Sequence, residues 1–153
     1  MSAASTGVAV RAVDAGTGRE LRMEVLRPHQ PAGEPMYPLE EASSTAHYAA
    51  LDPAGEVLSV GSVMPDRHPR EPREHDWRVR GMATRPALRG AGLGGMVLAQ
   101  LERHAREHGG ARVWCNARRG ARRFYEGAGF EVEGGEFEIP DIGPHFLMSK
   151  PLR

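Results

Sequence analysis

The chain has 153 residues, enough for one domain with a substantial core. Its 20 basic and 20 acidic residues balance, so it carries no electrostatic footprint for nucleic acid or an anionic membrane. One cysteine, Cys115, excludes an intrachain disulfide and fits a reducing cytoplasm, and no apolar run approaches membrane-span length.

Met1 to Gly7 is small and polar, unlike a signal peptide, and reads as a frayed tail ahead of one domain over residues 8–153. Val8 to Val13 is a short strand, followed by turn residues. Arg19 to Leu26 places Leu21, Val25 and Leu26 at helical spacing, and Pro28 stops the run. Residues 28–45 are rich in proline and small polar residues and form an irregular connection. Ala46 to Leu51 and Val57 to Met64 are strands joined through Asp52-Pro-Ala-Gly-Glu56, a hairpin turn. Pro65 to His75 reads as a charged, exposed insertion. Trp77 to Thr84 is the next strand. Gly92 to His108 is the clearest helix, with Leu93, Val97, Leu101 and Ala105 on one face and Gly109-Gly110 to end it. Ala111 to Asn116 is a strand, Arg119 to Gly127 a short helix closed by Gly129, and Phe130 to Glu138 and His145 to Lys150 are the last strands. The fold class is α/β, a single domain built on one mixed sheet flanked by helices, with a strand–glycine loop–helix unit at its centre.

That central unit is Met82-Ala-Thr-Arg-Pro-Ala-Leu-Arg-Gly-Ala-Gly-Leu-Gly-Gly95. Glycine lets a loop fold tightly and approach a ligand closely. The unpaired N–H groups of the helix's first turn and its dipole favour an anion, and Arg89 adds a fixed positive charge. The segment is suited to hold a phosphate. Gly90, Gly92 and Gly95 spell the dinucleotide pattern G-x-G-x-x-G. That pattern also wants an acid at the end of the following strand, and Val113-Trp-Cys-Asn-Ala-Arg-Arg119 has none. A P-loop needs a lysine beside its last glycine, and the only lysine is Lys150.

Arg89-Gly-Ala-Gly92-Leu-Gly94 resembles R-x-x-G-x-G, the pyrophosphate loop of the GNAT superfamily of acyl-CoA-dependent N-acetyltransferases. Phe124-Tyr-Glu-Gly-Ala-Gly-Phe130 resembles the family's F-Y-E-x-x-G-F segment, with Ala121 at the family's usual alanine. Ile142-Gly-Pro-His145-Phe-Leu-Met148 resembles the last strand of one branch of that family. The three motifs fall in the family's order and cover residues 76–150; the first half resembles it loosely. The resemblance implies a GNAT fold and acetyl-CoA as cosubstrate. It implies acetyl transfer to an amine by direct attack in a ternary complex, the amine being a small molecule or a peptide N-terminus or side chain. A homodimer is compatible with these properties. An acyl-CoA-binding sensor without turnover shares every residue of the loop and is the alternative. A nicotinamide-dependent oxidoreductase is a more distant one.

By the same resemblance, the backbone of Met82, Ala83 and Thr84 pairs with the pantetheine arm, and one N–H there polarises the thioester carbonyl. Arg89, Gly90, Ala91, Gly92, Leu93, Gly94 and Gly95 hold the pyrophosphate. Tyr125 stands where family members place a tyrosine near the CoA sulfur. A phenol of pKa about 10 and a thiol of about 8.5 make full proton donation uphill by roughly 2 kcal/mol, so a strengthening hydrogen bond is the expected role. An alkyl amine of pKa about 10.4 is neutral about once in 2500 molecules at pH 7, which makes a base useful. His145, after Pro144, is the first choice, with Glu138, Asp141 and His47 as the others. Seven residues before the tyrosine, many family members carry asparagine and this chain has Arg118, so Asn116 and Arg118 are both expected near the cofactor.

Residues outside these motifs carry further expectations. Phe124 is expected in the core, and Cys115 as a small buried residue in place of a nucleophile. His104 and His108 have the spacing of a zinc pair but no third ligand, and are expected on an exposed helix edge. Arg22 and Arg27 are expected either to grip a substrate carboxylate or to pair at the surface with Glu20 and Glu24. Arg118, Arg119, Arg122 and Arg123 form a basic cluster that could face a 3′-phosphate.

Overall fold

The computed structural model describes residues 7–26, 40 and 42–152. Among them lie the strands β1 (Ala9–Val13), β2 (Ala46–Leu51), β3 (Val57–Pro65), β4 (Asp76–Thr84), β5 (Arg112–Arg118), β6 (Glu131–Ile139) and β7 (Gly143–Pro151). The helices are α1 (Arg19–Leu26), α2 (Leu93–Glu107) and α3 (Arg122–Gly127), with one-turn 3₁₀ segments at Pro86–Leu88 and Arg119–Ala121. The expected order of elements holds, with most ends displaced by no more than a few residues. The expected tail lies outside the described residues apart from Gly7, as does most of the irregular stretch 28–45.

One sheet runs β1-β2-β3-β4-β5-β7-β6, and among the described residues β4 and β5 are its only parallel neighbours. The β2–β3 hairpin is closed by Asp52, whose Oδ1 accepts from the N–H groups of Ala54 and Glu56, both at 2.9 Å. Residues Ala49 and Ala50 divide between two apolar clusters, as alternation along a strand requires. On one face α2 buries Leu93, Val97, Leu98, Leu101 and Ala105 against Val63, Val79 and Val113. On the other, α1 sets Leu21 against Ala49, Val60 and Ala83. Burying each of the large side chains contributes about 1.5–3 kcal/mol.

Strand β4 departs from regular pairing on both sides. Its pairing with β5 is confined to Asp76–Arg78 opposite Arg112–Trp114; beyond that, β4 continues to Thr84 and β5 to Arg118 without pairing each other. The strands therefore splay. On the β3 side, Val60 faces Ala83 and Ser62 faces Arg80, so Gly81 and Met82 together oppose Gly61. This bulge bends β4, and Gly81 takes a φ of 64°, a conformation that favours glycine.

Both later helices end in the same way. Gly110 N–H donates to Ala105 O at 2.7 Å and Gly109 N–H to Arg106 O at 3.2 Å, with Gly109 at φ 87°. Phe130 N–H donates to Tyr125 O and Gly129 N–H to Glu126 O, both at 3.0 Å, with Gly129 at φ 96°. These are Schellman caps.

The segment from Pro65 to His75 is largely exposed, as expected, apart from the buried His68. Asp76 Oδ2 accepts from the backbone N–H groups of His68 and Arg73 and from Arg112, while Oδ1 accepts a second bond from Arg112. His68 is buried and its Nε2 meets Glu133 at 2.9 Å, and Trp114 Nε1 donates to Asp66 O at 2.8 Å. The insertion's charges are largely at the surface, but its backbone is strapped to the sheet through groups distant in sequence.

Candidate active site

The splay between β4 and β5 opens into a cavity of about 930 Å³. One wall is β4 from Arg78 to Thr84, and the other is Asn116, Ala117 and Arg118 of β5. The glycine loop and the start of α2 form the mouth: Leu88, Arg89, Gly90, Gly92, Leu93, Gly94 and Gly95 all line it. Gly120, Ala121, Phe124, Tyr125, Ile139, Ile142, His145, Val25 and Leu26 complete the lining.

The loop has the properties a phosphate site needs. Gly90 and Gly92 sit at φ 86° and 84°, and Gly92 caps α2 with no side-chain acceptor of its own. The first helical bond is Met96 N–H to Gly92 O at 3.1 Å, so the N–H groups of Leu93, Gly94 and Gly95 precede the ladder. No atom lies within 4 Å of the position a Cβ would take at Gly90, Gly92 or Gly95. Arg89 is exposed beside them. Ala91 differs from its neighbours: it packs against the apolar core and its N–H is used by Leu88 O, so it does not line the cavity.

Tyr125 is aimed by the cap of α3. The Schellman geometry brings Phe130 back over the helix, and the two rings meet edge to face with centroids 5.2 Å apart. Tyr125 is 6% exposed, and burial followed by the neighbouring Cys115 raises its hydroxyl well above the ordinary tyrosine value. It therefore stays protonated and can only gain charge-assisted strength as a donor. Phe124 corrects its expectation. It is 37% exposed and lines the cavity, with its ring against Gly94, because the short helix turns it away from the core. Cys115 is buried as expected, and burial pushes its thiol up, so no thiolate is on offer.

Among the four base candidates, His145 alone lines the cavity. It lies opposite Arg118 in the β5–β7 register. Its Nδ1 is 2.7 Å from Gly143 O; a carbonyl can only accept, so Nδ1 carries the hydrogen and Nε2 is the basic nitrogen of the neutral ring. Glu138 and Asp141 are exposed and outside the lining. His47 is buried between α1 and the sheet, with Nε2 on Glu40 O at 2.7 Å and Nδ1 on Ser62 Oγ at 2.6 Å. Burial is the main cause that holds it below the ordinary histidine value; the Arg22 charge adds to this against the pull of the Glu40 bond.

The basic cluster divides. Arg118 lines the cavity but donates to Leu26 O at the end of α1. Arg119 pairs with Glu136 at 3.5 Å, and Arg122 with Glu126 at 3.5 Å while stacking on Phe146. Neither lines the cavity, and Arg123 is an exposed residue outside it. His104 is half-buried, contrary to the expected exposed edge. Tyr48 Oη lies 3.0 Å from its Nδ1, and its ring stacks on His108 at 4.1 Å.

Sequence reasoning missed two parts of the site. Arg78 and Arg80 line the apex of the splay, and Ile139 and Ile142 flank a turn whose Asp141 has φ 66°. The paired isoleucines around an otherwise polar turn were the readable signal. Arg22, expected on a substrate carboxylate or in surface pairs with Glu20 and Glu24, is instead 1% exposed: its Nε donates to Gly81 O at 2.9 Å and Nη2 to Ser62 Oγ at 2.6 Å. Arg27, given the same expectation, lies outside the described residues. Gly81 within an otherwise strand-forming run was the available hint of a bulge.

A parallel strand pair splayed over a glycine loop at a helix N-terminus can receive an extended, phosphorylated ligand. This chain belongs to the acetyltransferase (GNAT) family, whose model matches residues 18–130. It is 34% identical over 134 residues to YitI of Bacillus subtilis, an uncharacterized N-acetyltransferase, covering 88% of this chain and 89% of that one. Its fold is shared with an acyl-CoA N-acyltransferase from Pseudomonas aeruginosa, with a TM-score of 0.72 at 20% identity, covering 94% and 99% of the two chains. It also resembles an aminoglycoside 6′-N-acetyltransferase complexed with coenzyme A, with a TM-score of 0.69 at 14% identity over 95% and 97%. The protein is an acyltransferase of the N-acetyltransferase type.

Proposed function

We propose that the protein transfers an acetyl group from acetyl-CoA to an amine by direct attack, both substrates being bound together. The observation that carries this reading is the splay: β4 from Val79 to Thr84, unpaired with β5, faces a cavity whose mouth is the glycine loop. A pantetheine arm can pair with that edge as an added strand. The N–H groups of Leu93, Gly94 and Gly95, with Arg89, hold the pyrophosphate. A backbone N–H at the bulge, on Met82, polarises the thioester carbonyl. Nε2 of His145 accepts a proton from the attacking ammonium or from the amine as it adds. Tyr125 Oη donates a hydrogen bond that strengthens as the departing sulfur gains charge. No observation favours the non-catalytic sensor, which has no use for a buried, protonated tyrosine or for a histidine on the same cavity.

Thiol release from acetyl-CoA against a panel of amines, amino-acid derivatives, aminoglycosides and peptides tests the reading. Amine-dependent release of CoA is expected with at least one acceptor class. Binding of acetyl-CoA with no release across the panel would return the chain to the sensor alternative.

A further inference from the structure

The buried Arg22 must find acceptors for its guanidinium, and one of those it uses is a carbonyl of the site. Arg22 lies on α1 and is 1% exposed, and its Nε donates to Gly81 O in the middle of β4, at 2.9 Å. A carbonyl in a regular strand points along the sheet to a neighbouring strand. Gly81 stands in the bulge with φ 64°, and its carbonyl instead meets a side chain from the helix on one face. The peptide unit is planar and trans, so fixing the Gly81 carbonyl also fixes the Met82 N–H, which points the opposite way. Gly81 and Met82 both line the cavity.

We propose that Arg22 is a positioning residue that locks the Gly81–Met82 peptide plane, and so aims and polarises the N–H that binds the thioester oxygen. The inference rests on the proposed acetyl transfer, in which Met82 supplies that N–H. A cation on the carbonyl end of a peptide draws density from it and makes the N–H at the other end a stronger donor. An oxyanion donor is worth most when it is held in place before reaction, because no reorganisation then accompanies charge development. The guanidinium is itself held. Its Nη2 donates to Ser62 Oγ at 2.6 Å, and Ser62 in turn lies 2.6 Å from His47 Nδ1. His47 Nε2 donates to Glu40 O at 2.7 Å, and the Glu40 carboxylate is bound by Arg19 at 2.7 Å. This chain of bonds runs through α1, β2 and β3 and ends on the bulge.

The test is the carbonyl stretch of carbon-13-labelled acetyl-CoA bound to the protein, read by infrared difference spectroscopy beside turnover and affinity. In the native protein the stretch should fall relative to free acetyl-CoA. In Arg22→Met, which keeps much of the length and removes the donors, most of that shift should vanish. Its kcat should drop about ten- to a hundredfold, part of what an oxyanion donor supplies. Affinity for acetyl-CoA should change by less than about threefold, since ground-state contacts along β4 and the loop remain. A folded Arg22→Met with an undiminished shift and native kcat overturns the role of Arg22 alone. A native protein that binds acetyl-CoA with no shift at all overturns the underlying assignment of the Met82 N–H. Should Arg22→Met fail to fold, Ser62→Ala decides. It loosens one arm of the guanidinium, and it should lose part of the shift and about two- to fivefold in kcat, a fraction of the full donor's effect. A folded Ser62→Ala with both unchanged also overturns the proposal.

Discussion

Tyr125 and His145 meet the cavity for different reasons, and single substitutions separate their roles. Tyr125→Phe keeps the edge-to-face packing on Phe130 and deletes only the hydroxyl. Its kcat should fall about ten- to a thousandfold, around the span of groups that assist proton and charge movement. Affinity for acetyl-CoA, read by calorimetry, should barely move. Equal losses in both would make Tyr125 a packing residue. His145 acts, on this reading, through neutral Nε2, so kcat/KM should rise with pH along a limb that its protonation sets, below the limb of the substrate amine. His145→Ala should abolish that limb while the limb of the substrate amine at high pH survives. A low-pH limb retained in the variant removes His145 as the base. His47 cannot replace it from its present position, since it lies outside the cavity lining with both ring nitrogens engaged.

At the scale of elements, the site depends on where three of them stop or start. β4 loses β5 as a partner after Arg78, α2 begins at a glycine in the left-handed conformation, and α3 ends in a cap that swings Phe130 onto Tyr125. The start of α2 gives a direct prediction. A Cβ at Gly94 would stand 3.3 Å from Phe124 and 3.4 Å from Thr84 Oγ1, both on the cavity. If the loop holds the pyrophosphate as proposed, Gly94→Val should fill that space and cut acetyl-CoA affinity at least about tenfold, the equivalent of one good contact, with the far-ultraviolet dichroism unchanged. Gly92→Val adds backbone strain, because φ 84° is left-handed backbone, which costs an L-residue roughly 1–2 kcal/mol. It should lower both affinity and melting temperature. Native affinity in a folded Gly94→Val would detach the loop from cofactor binding.

For the whole molecule, acid should act through buried polar groups that join distant elements. Burial lowers His47 and His104 from the ordinary histidine value of 6.5, so the folded protein resists protons that the unfolded chain takes up. The unfolded state then binds more protons below that value, and stability must fall as pH drops through the histidine range. Asp76 adds a second window. Burial tends to raise its carboxyl, but the Arg112 bond and the His68 and Arg73 N–H groups outweigh this and leave it lowered. Its contribution is present above 3.8 and is lost as pH falls below that value. Urea midpoints should thus decline as pH falls through the ordinary histidine value of 6.5 and again below the ordinary carboxylate value of 3.8, and His104→Gln should flatten the first decline. A midpoint that is level across the histidine range would contradict the assigned direction for both histidines.

The order of elements was legible because their signals are local: the apolar face of α2, the Asp-Pro-Ala-Gly turn and the double glycine after His108 need no tertiary partner. The glycine loop was legible for the same reason, since its chemistry lies in consecutive backbone groups. Tyr125 and His145 were marked by short motifs, and the fold brings them to one cavity from α3 and β7. The burial of Arg22 was not legible. Its spacing on α1 fits a surface arginine equally well, and its partners are Ser62 and Gly81, which reach it only when β3 and β4 pair. The strapping of residues 65–75 by Asp76 and Arg112, and the turning of Phe124 toward Gly94, were likewise hidden. Sequence determined the elements and the glycine loop through contacts between near neighbours. The splay of β4 from β5 was decided by the register of strands on either side, a property of the assembled sheet that no single segment carries.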